Sequence, residues 1–153
     1  MAHEAVGAIF MSVATGHVML NLRSESVTYP NYWGFVGGKV EKNETPIECL
    51  HREIKEELGQ KLPKIEDIIP FDVFTTKSSK FRYYSFLVIV NNEFVPVLNS
   101  ESSGYAWVKI GNWPQPLHPG AKSTLHNYNL LDEFNEVWEQ KKNGKLLKNS
   151  LPF

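Results

Sequence analysis

The stretch HREIKEELG, residues 51–59, sets Glu53, Glu56 and Glu57 at spacings that share one helical face. Carboxylates three and four residues apart repel one another, by roughly 0.2–0.5 kcal/mol per pair. They also crowd the C-terminal end of the helix, which is its negative end. Taken alone, such a triplet reads as a solvated face. It reads differently if cations complete it, because carboxylate oxygens hold Mg²⁺ or Mn²⁺, and Mg²⁺ takes octahedral sites finished by water and substrate phosphate. Ions held in that way act as Lewis acids and as a source of activated water. The chemistry such ions open is attack of metal-activated water on an anionic substrate.

The helix that must carry these acids has the clearest local signals in the chain. Thr45 is a good N-cap, Pro46 fits the first helical position, and Glu48 completes a T-x-x-E capping box. Ile47, Leu50, Ile54 and Leu58 recur at helical spacing and form the expected buried stripe. Gly59 stands where a helix C-terminus favours a left-handed residue. Upstream, residues 5–14 and 17–23 read as a hairpin around the turn at Thr15 and Gly16. The run WGFVGG (33–38) follows a polar loop, and the paired glycines Gly37 and Gly38 mark a sharp bend or a close approach. Downstream, 68–76 and 81–90 predict a second hairpin over the polar tip KSSK, with FLVIV buried on both faces. EFVPVL (93–98) and YAWVKI (105–110) predict two shorter strands, and an amphipathic helix is expected over roughly 122–141. Strands interrupted by one early helix and closed by a late one imply an α/β (α+β) fold, a mixed sheet packed between helices.

Composition bounds the rest. The 153 residues are 42% hydrophobic and 22% charged, with a formal net charge of −1. One domain spanning 1–153 is the expectation. Clustered excess Lys and Arg, the mark of a nucleic-acid surface, are missing, so no nucleic-acid partner is expected. The single cysteine, Cys49, excludes an internal disulfide and reads as a small buried residue. No apolar run reaches membrane-spanning length, and MAHEAVGAIF lacks a basic leader region and carries Glu4. A cytoplasmic protein with no membrane partner is expected.

Reading outward from the acidic face, Gly38, Glu44, Arg52, Glu53, Ile54, Glu56, Glu57 and Gly59 form G-x5-E-x7-R-E-I-x-E-E-x-G. This resembles the Nudix box, the signature of Nudix hydrolases. One position departs: the family's aliphatic residue after the last glycine is Gln60 here, with Leu62 available for the packing contact. The resemblance implies an α/β/α sandwich and a Mg²⁺-dependent pyrophosphohydrolase, with Mn²⁺ as an alternative ion. It implies that Glu53, Glu56 and Glu57 bind the ions, with the Gly37 carbonyl as a further ligand. Catalytic candidates are Glu53, Arg52 and Glu44, and the resemblance implies one glutamate, in the box or in a later loop, acting as general base; for a loop glutamate Glu101 is the first choice and Glu93 the second. Arg52 is expected to orient carboxylates; as an isolated residue it would only pair with Glu48 and Glu56 along the helix.

Substrate contacts are expected from Lys39 and Arg23 toward phosphate, and from Trp33 and Phe35 as stacking surfaces for a base. Phe81, Tyr83 and Tyr84 are further aromatic candidates, and for each the alternative is an ordinary core position. His118, in PLHPG, stands in a loop of functional appearance, where a structural role is the leading expectation. WGFVGGKVE resembles the run before the box in nucleoside-triphosphate-cleaving members. The proline that often follows the box in ADP-ribose hydrolases is absent from FDVFTT, and Pro70 does not fit its place. The expected substrate is a (deoxy)nucleoside triphosphate or modified nucleotide, split to a nucleoside monophosphate. ADP-ribose, nucleotide-sugar and dinucleoside polyphosphate hydrolysis remain alternatives, as does a non-catalytic nucleotide-binding domain, although such domains lose box glutamates. Many members of the family form dimers, so a homodimer is one expected assembly.

Overall fold

The computed structural model describes residues 3–150 apart from Gln60 and Ser79, with side chains described as far as residue 144. The departure at Gln60 and part of the KSSK tip therefore lie outside the described residues. In chain order the elements are β1 (His3–Ser12), β2 (Val18–Arg23), β3 (Trp33–Gly34), β4 (Val36–Lys39), α1 (Pro46–Leu58), β5 (Asp67–Thr75), β6 (Phe81–Val90), β7 (Ser102–Val108), α2 (Pro119–Leu125) and α3 (Tyr128–Ser150).

β1 is the centre of the sheet. One edge pairs in parallel with β6 along its whole length, from His3↔Phe81 to Ser12↔Val90. Its other edge is divided: Ala5–Ala8 pair antiparallel with β4, and Met11 pairs with Val18 of β2. β2 carries β7 along its far edge and β3 further along the edge it shares with β1, and β5 closes the opposite side of the sheet against β6. The sheet therefore forks where β4 and β2 part company.

Strand alternation sorts the core into two layers. Val6, Ala8 and Phe10 face α1 together with Phe86, Val88 and Val90. Ile9, Met11, Leu87 and Ile89 face the other way, against Ala121 and Leu125 of α2 and Phe134 of α3. The predicted α/β/α sandwich is the observed one, and Phe86–Val90 is buried on both faces as expected.

Three local readings need correction. Residues 93–98 are irregular rather than a strand, and Phe94 instead packs edge-on between Phe10 and Trp107. The closing helix is two helices, because the Asn127 side chain accepts from the Asn129 N–H and restarts the chain after α2. Ile47 is 39% exposed, and Cys49 takes the buried place in the first turn of α1. Leu62 does pack on the α1 side of the core.

Candidate active site

α1 is fixed from both ends of its sequence signature. The Thr45 hydroxyl accepts from the Glu48 N–H at 3.3 Å, and the Glu48 carboxylate accepts from the Thr45 N–H at 3.0 Å. Leu50, Ile54 and Leu58 anchor the helix in the core. At its other end Gly59 is right-handed, with φ −59° and ψ −23°, not the left-handed cap the sequence predicts. Glycine is required there by proximity: a Cβ would lie 2.1 Å from the Lys55 carbonyl oxygen.

Gly37 and Gly38 are likewise not a turn. They lie within β4, paired with Gly7 and Val6 of β1, and neither has positive φ. A Cβ on Gly37 would come within 1.9 Å of the Val6 carbonyl oxygen, and one on Gly38 within 2.3 Å of the Glu53 carboxylate. Of the two sequence alternatives, close approach is the correct one. Gly37→Ala is expected to destabilise the fold by about 1–3 kcal/mol, the usual range for overpacking a rigid contact. A lower denaturant midpoint at unchanged slope would show it, and parental stability would mean that β1 and β4 can separate freely.

This closeness lets the acidic face of α1 meet the strand. Glu53 is buried beneath Gly38, while Glu56 is exposed on the rim. Glu57 accepts from the Gly37 N–H at 2.9 Å. Its carboxyl is also in hydrogen-bonding contact with that of Glu101, in the loop preceding β7. Burial pushes the Glu57 carboxyl up to about 9, reinforced by Glu101 and by the charge of Glu53 and opposed by the Gly37 N–H. Burial also raises Glu53, although the Arg52 guanidinium pulls against it.

Arg52 ties the acids together. Its Nε and Nη2 donate to the two oxygens of Glu44 at 2.7 and 3.0 Å, while Nη1 reaches Glu53 at 3.0 Å and Glu56 at 3.3 Å. Nη2 also donates to the Lys39 carbonyl at 3.1 Å, so the guanidinium spans helix and strand. These bonds hold the Glu44 carboxyl down at about 2. Cys49 sits beneath this network, its thiol pushed up to about 12 by burial, which makes it a packing residue and not a nucleophile.

A cleft of about 420 Å³ opens at the fork in the sheet. Glu57 and Glu101 line one part of it, Gly37, Gly38 and Lys39 the β4 wall, and Arg23 and Phe35 the remainder. Arg23 is clamped by Thr28, with Nε donating to the Thr28 carbonyl at 2.7 Å and Nη2 to its hydroxyl at 3.0 Å. Phe35 also packs on the core layer facing α2 and α3. Trp33 is not brought to the cleft: its ring packs on that same layer, and its backbone bridges to Leu117. Glu93 lies elsewhere, paired with His17 at 2.9 Å beside the first turn. His118 caps α2, its Nδ1 accepting from the Gly120 N–H at 3.1 Å, and burial lowers its imidazole to about 4. The structural role expected of it is the one it has.

Sequence reasoning missed Asn21, Thr28 and Ser102, which also line the cleft. Their types carry no signal alone; the pairing of β2 with β7 brings Asn21 and Ser102 together, and the hydrogen bonds of Arg23 bring in Thr28.

The fit to a divalent ion can be tested on these donors. Among the described residues, no three His, Cys, Asp or Glu side chains close into a ready-made cage. An octahedral ion completed by water and substrate phosphate needs no such cage, only hard oxygens held close. Glu53, Glu56 and Glu57 offer such oxygens on one helical face beside β4, and burial together with neighbouring acids raises the Glu57 carboxyl where no cation is bound. The residues present fit the ion.

Known proteins agree with this geometry. The nucleoside triphosphatase NudI of Escherichia coli O17:K52:H18 (strain UMN026 / ExPEC) is 32% identical over 104 residues, covering 61% of this chain and 72% of that protein. NudI of Shigella flexneri is 30% identical over 103 residues with the same coverage. Among solved structures, the MutT NUDIX hydrolase of Burkholderia pseudomallei matches with TM-score 0.63 at 21% identity, over 84% of this chain and 98% of that one. The Nudix hydrolase RenU of M. smegmatis matches with TM-score 0.65 at 20% identity, over 87% and 88%. At such identity these two structures speak for the fold alone. The sequence profile of the NUDIX domain matches residues 1–128, which takes in the whole sheet as well as the helix that carries the box. The protein is a member of the NUDIX family, a hydrolase of phosphoric anhydride bonds.

Proposed function

We propose that the protein is a Mg²⁺-dependent pyrophosphohydrolase that splits a nucleoside triphosphate into a nucleoside monophosphate and pyrophosphate. The observation that carries this reading is the mixed charge lining one cleft: the crowded carboxyl groups of Glu57 and Glu101 together with the cations of Lys39 and Arg23. A triphosphate has the length and charge to meet both. Relatives that carry the name nucleoside triphosphatase, at 30–32% identity, favour this substrate over ADP-ribose or a nucleotide sugar.

The family in general uses divalent metal ions. In this chain Glu53, Glu56, Glu57 and the Gly37 carbonyl would hold Mg²⁺, with Mn²⁺ as the alternative. When bound, the ion would neutralise the diphosphate and lower the pKa of attacking water. The side chains have separate tasks. Arg52 and Glu44 keep the box carboxylates aimed at the cleft. Glu101, exposed at the mouth of the site, accepts the proton of the attacking water. Lys39 and Arg23 contact the phosphates, and Phe35 offers an edge to the base. Catalysis then comes from positioning and charge neutralisation, as in other phosphoryl transfers.

We read the chain as one cytoplasmic domain without a nucleic-acid partner, with a homodimer as the candidate assembly. Among the described residues no helix is long and apolar enough to cross a membrane.

The test is a panel of nucleoside triphosphates, ADP-ribose, nucleotide sugars and dinucleoside polyphosphates, assayed with Mg²⁺ and with excess EDTA. Nucleoside triphosphates are expected to be the best substrates, yielding monophosphate and pyrophosphate. EDTA should abolish turnover and added Mg²⁺ restore it. Preferential cleavage of ADP-ribose would overturn the substrate class, and turnover in EDTA would overturn the mechanism.

A further inference from the structure

Glu101 stands in a loop, on the chain just before β7, yet the backbone around it is tied down on every side. The hydroxyls of Ser24 and Ser26 both lie against the Ser100 carbonyl oxygen, at 2.7 and 3.0 Å, and 2.8 Å from each other. The Ser24 N–H donates to the Glu101 carbonyl at 3.0 Å. The Glu101 N–H donates to the Asn99 side chain at 2.9 Å. On the far side, the Asn21 amide donates to the Ser102 hydroxyl at 3.2 Å. We propose that Ser24 and Ser26 are positioning residues for Glu101, holding its carboxylate against Glu57, with Asn21 completing the grip from β2.

Two details support a working role beyond loop stability. Ser24 and Ser26 begin the segment that ends at Thr28, which clamps Arg23. The same short loop therefore ties the Arg23 cation and the backbone that carries Glu101 to one another at the cleft. Asn21, for its part, is 5% exposed, and its Oδ1 has no hydrogen-bond partner among the described residues. An unpaired buried amide oxygen is a cost that an apolar residue on this strand would avoid. What the amide contributes in return is the hold on Ser102.

The serines back each other up. Two hydroxyl protons serve three close oxygen contacts, so one hydroxyl donates to the carbonyl while the other donates to its neighbour. Removing one serine leaves a donor for Ser100, and the test therefore needs both removed.

The inference rests on the reading of Glu101 as the proton acceptor, and the experiment separates the two. In the S24A/S26A double variant, kcat for a nucleoside triphosphate is expected to fall about tenfold, a part of the roughly hundredfold that a ~1 Å misplacement can cost. KM should stay within about twofold, because the Thr28 clamp on Arg23 is left in place. Hydrogen exchange at the Glu101 and Ser102 amides should quicken about tenfold, a readout independent of turnover. Threonine at both positions keeps the hydroxyls and should restore kcat, and Asn21→Ala should show the same split between kcat and KM more weakly. Parental kcat and exchange in the double variant would overturn the proposal, as would a raised KM at constant kcat, which would make the serines substrate contacts. Glu101→Gln is the reference. Full activity in that variant would sink the role of Glu101 and the positioning role with it, whereas a crippled Glu101→Gln beside an intact double variant would sink the positioning role alone.

Discussion

Glu57→Gln is expected to lower turnover by roughly 10²–10⁴-fold, the several kcal/mol that metal-assisted charge neutralisation supplies. The same variant, measured without divalent ions, should melt no lower than its parent. Both outcomes follow from one environment. Glu57 is held between the Gly37 N–H and Glu101, and burial with neighbouring acids raises its carboxyl from 4.5 to about 9 when no cation is present. The folded metal-free protein thus keeps a proton that the unfolded chain releases. That contribution to stability is complete below about pH 4.5 and is lost as the pH rises toward about 9. Glutamine has no such proton, so stability measured in EDTA from pH 5 to 9 should slope downward in the parent and run flatter in the variant. Undiminished turnover would remove Glu57 from the reaction, and an unchanged pH slope would remove it from the buried acidic cluster.

The box was legible because its determinants are local. A capping box, a proline at the first helical turn and an apolar stripe all act within a few residues, and all but Ile47 behave as the pattern predicts. Cys49 takes the buried place instead of Ile47, its thiol facing the Lys39 and Gly38 carbonyls at 3.4 and 3.8 Å. The sequence pattern points to a left-handed cap at Gly59 and leaves bend and close approach open at Gly37 and Gly38; all three glycines are needed for what lies against them, and a contact of that kind leaves no trace in neighbouring residues.

The cleft was harder to read because it is made by pairings distant along the chain. The parallel alignment of β1 with β6 and the split of β1 between β4 and β2 decide which side chains meet at the fork. The sequence offers Glu101 as the first and Glu93 as the second choice of loop glutamate. What separates them is the register of β7 on β2, which delivers Glu101 to Glu57 and leaves Glu93 with His17. Trp33 and Phe35 both pack partly on the core layer against α2 and α3, and only Phe35 also lines the cleft.

Arg52→Met should produce the second large effect, a loss of about 10- to 100-fold in Mg²⁺ affinity or in kcat/KM, the usual range for removing a group that orients metal-binding carboxylates. Arg52 touches no substrate in this reading; it acts through Glu44, Glu53 and Glu56, and through the Lys39 carbonyl on β4. Lysine should not rescue it, because one ammonium cannot meet both Glu44 oxygens and Glu53 at once. The pH dependence of stability provides a check that needs no turnover. Arg52 holds the Glu44 carboxyl near 2, below its ordinary 4.5, so the pair stabilises the fold above about pH 4.5 and loses that contribution as the pH falls toward about 2. The gap in stability between parent and Arg52→Met should therefore be widest at neutral pH and narrow on acidification. A gap that stayed constant from pH 7 to pH 3 would mean that Glu44 is held by something other than Arg52. If the gap narrows and Mg²⁺ affinity is also lost, the guanidinium is doing both jobs at once: it keeps repelling acids together on one helix and joins that helix to the strand that walls the cleft.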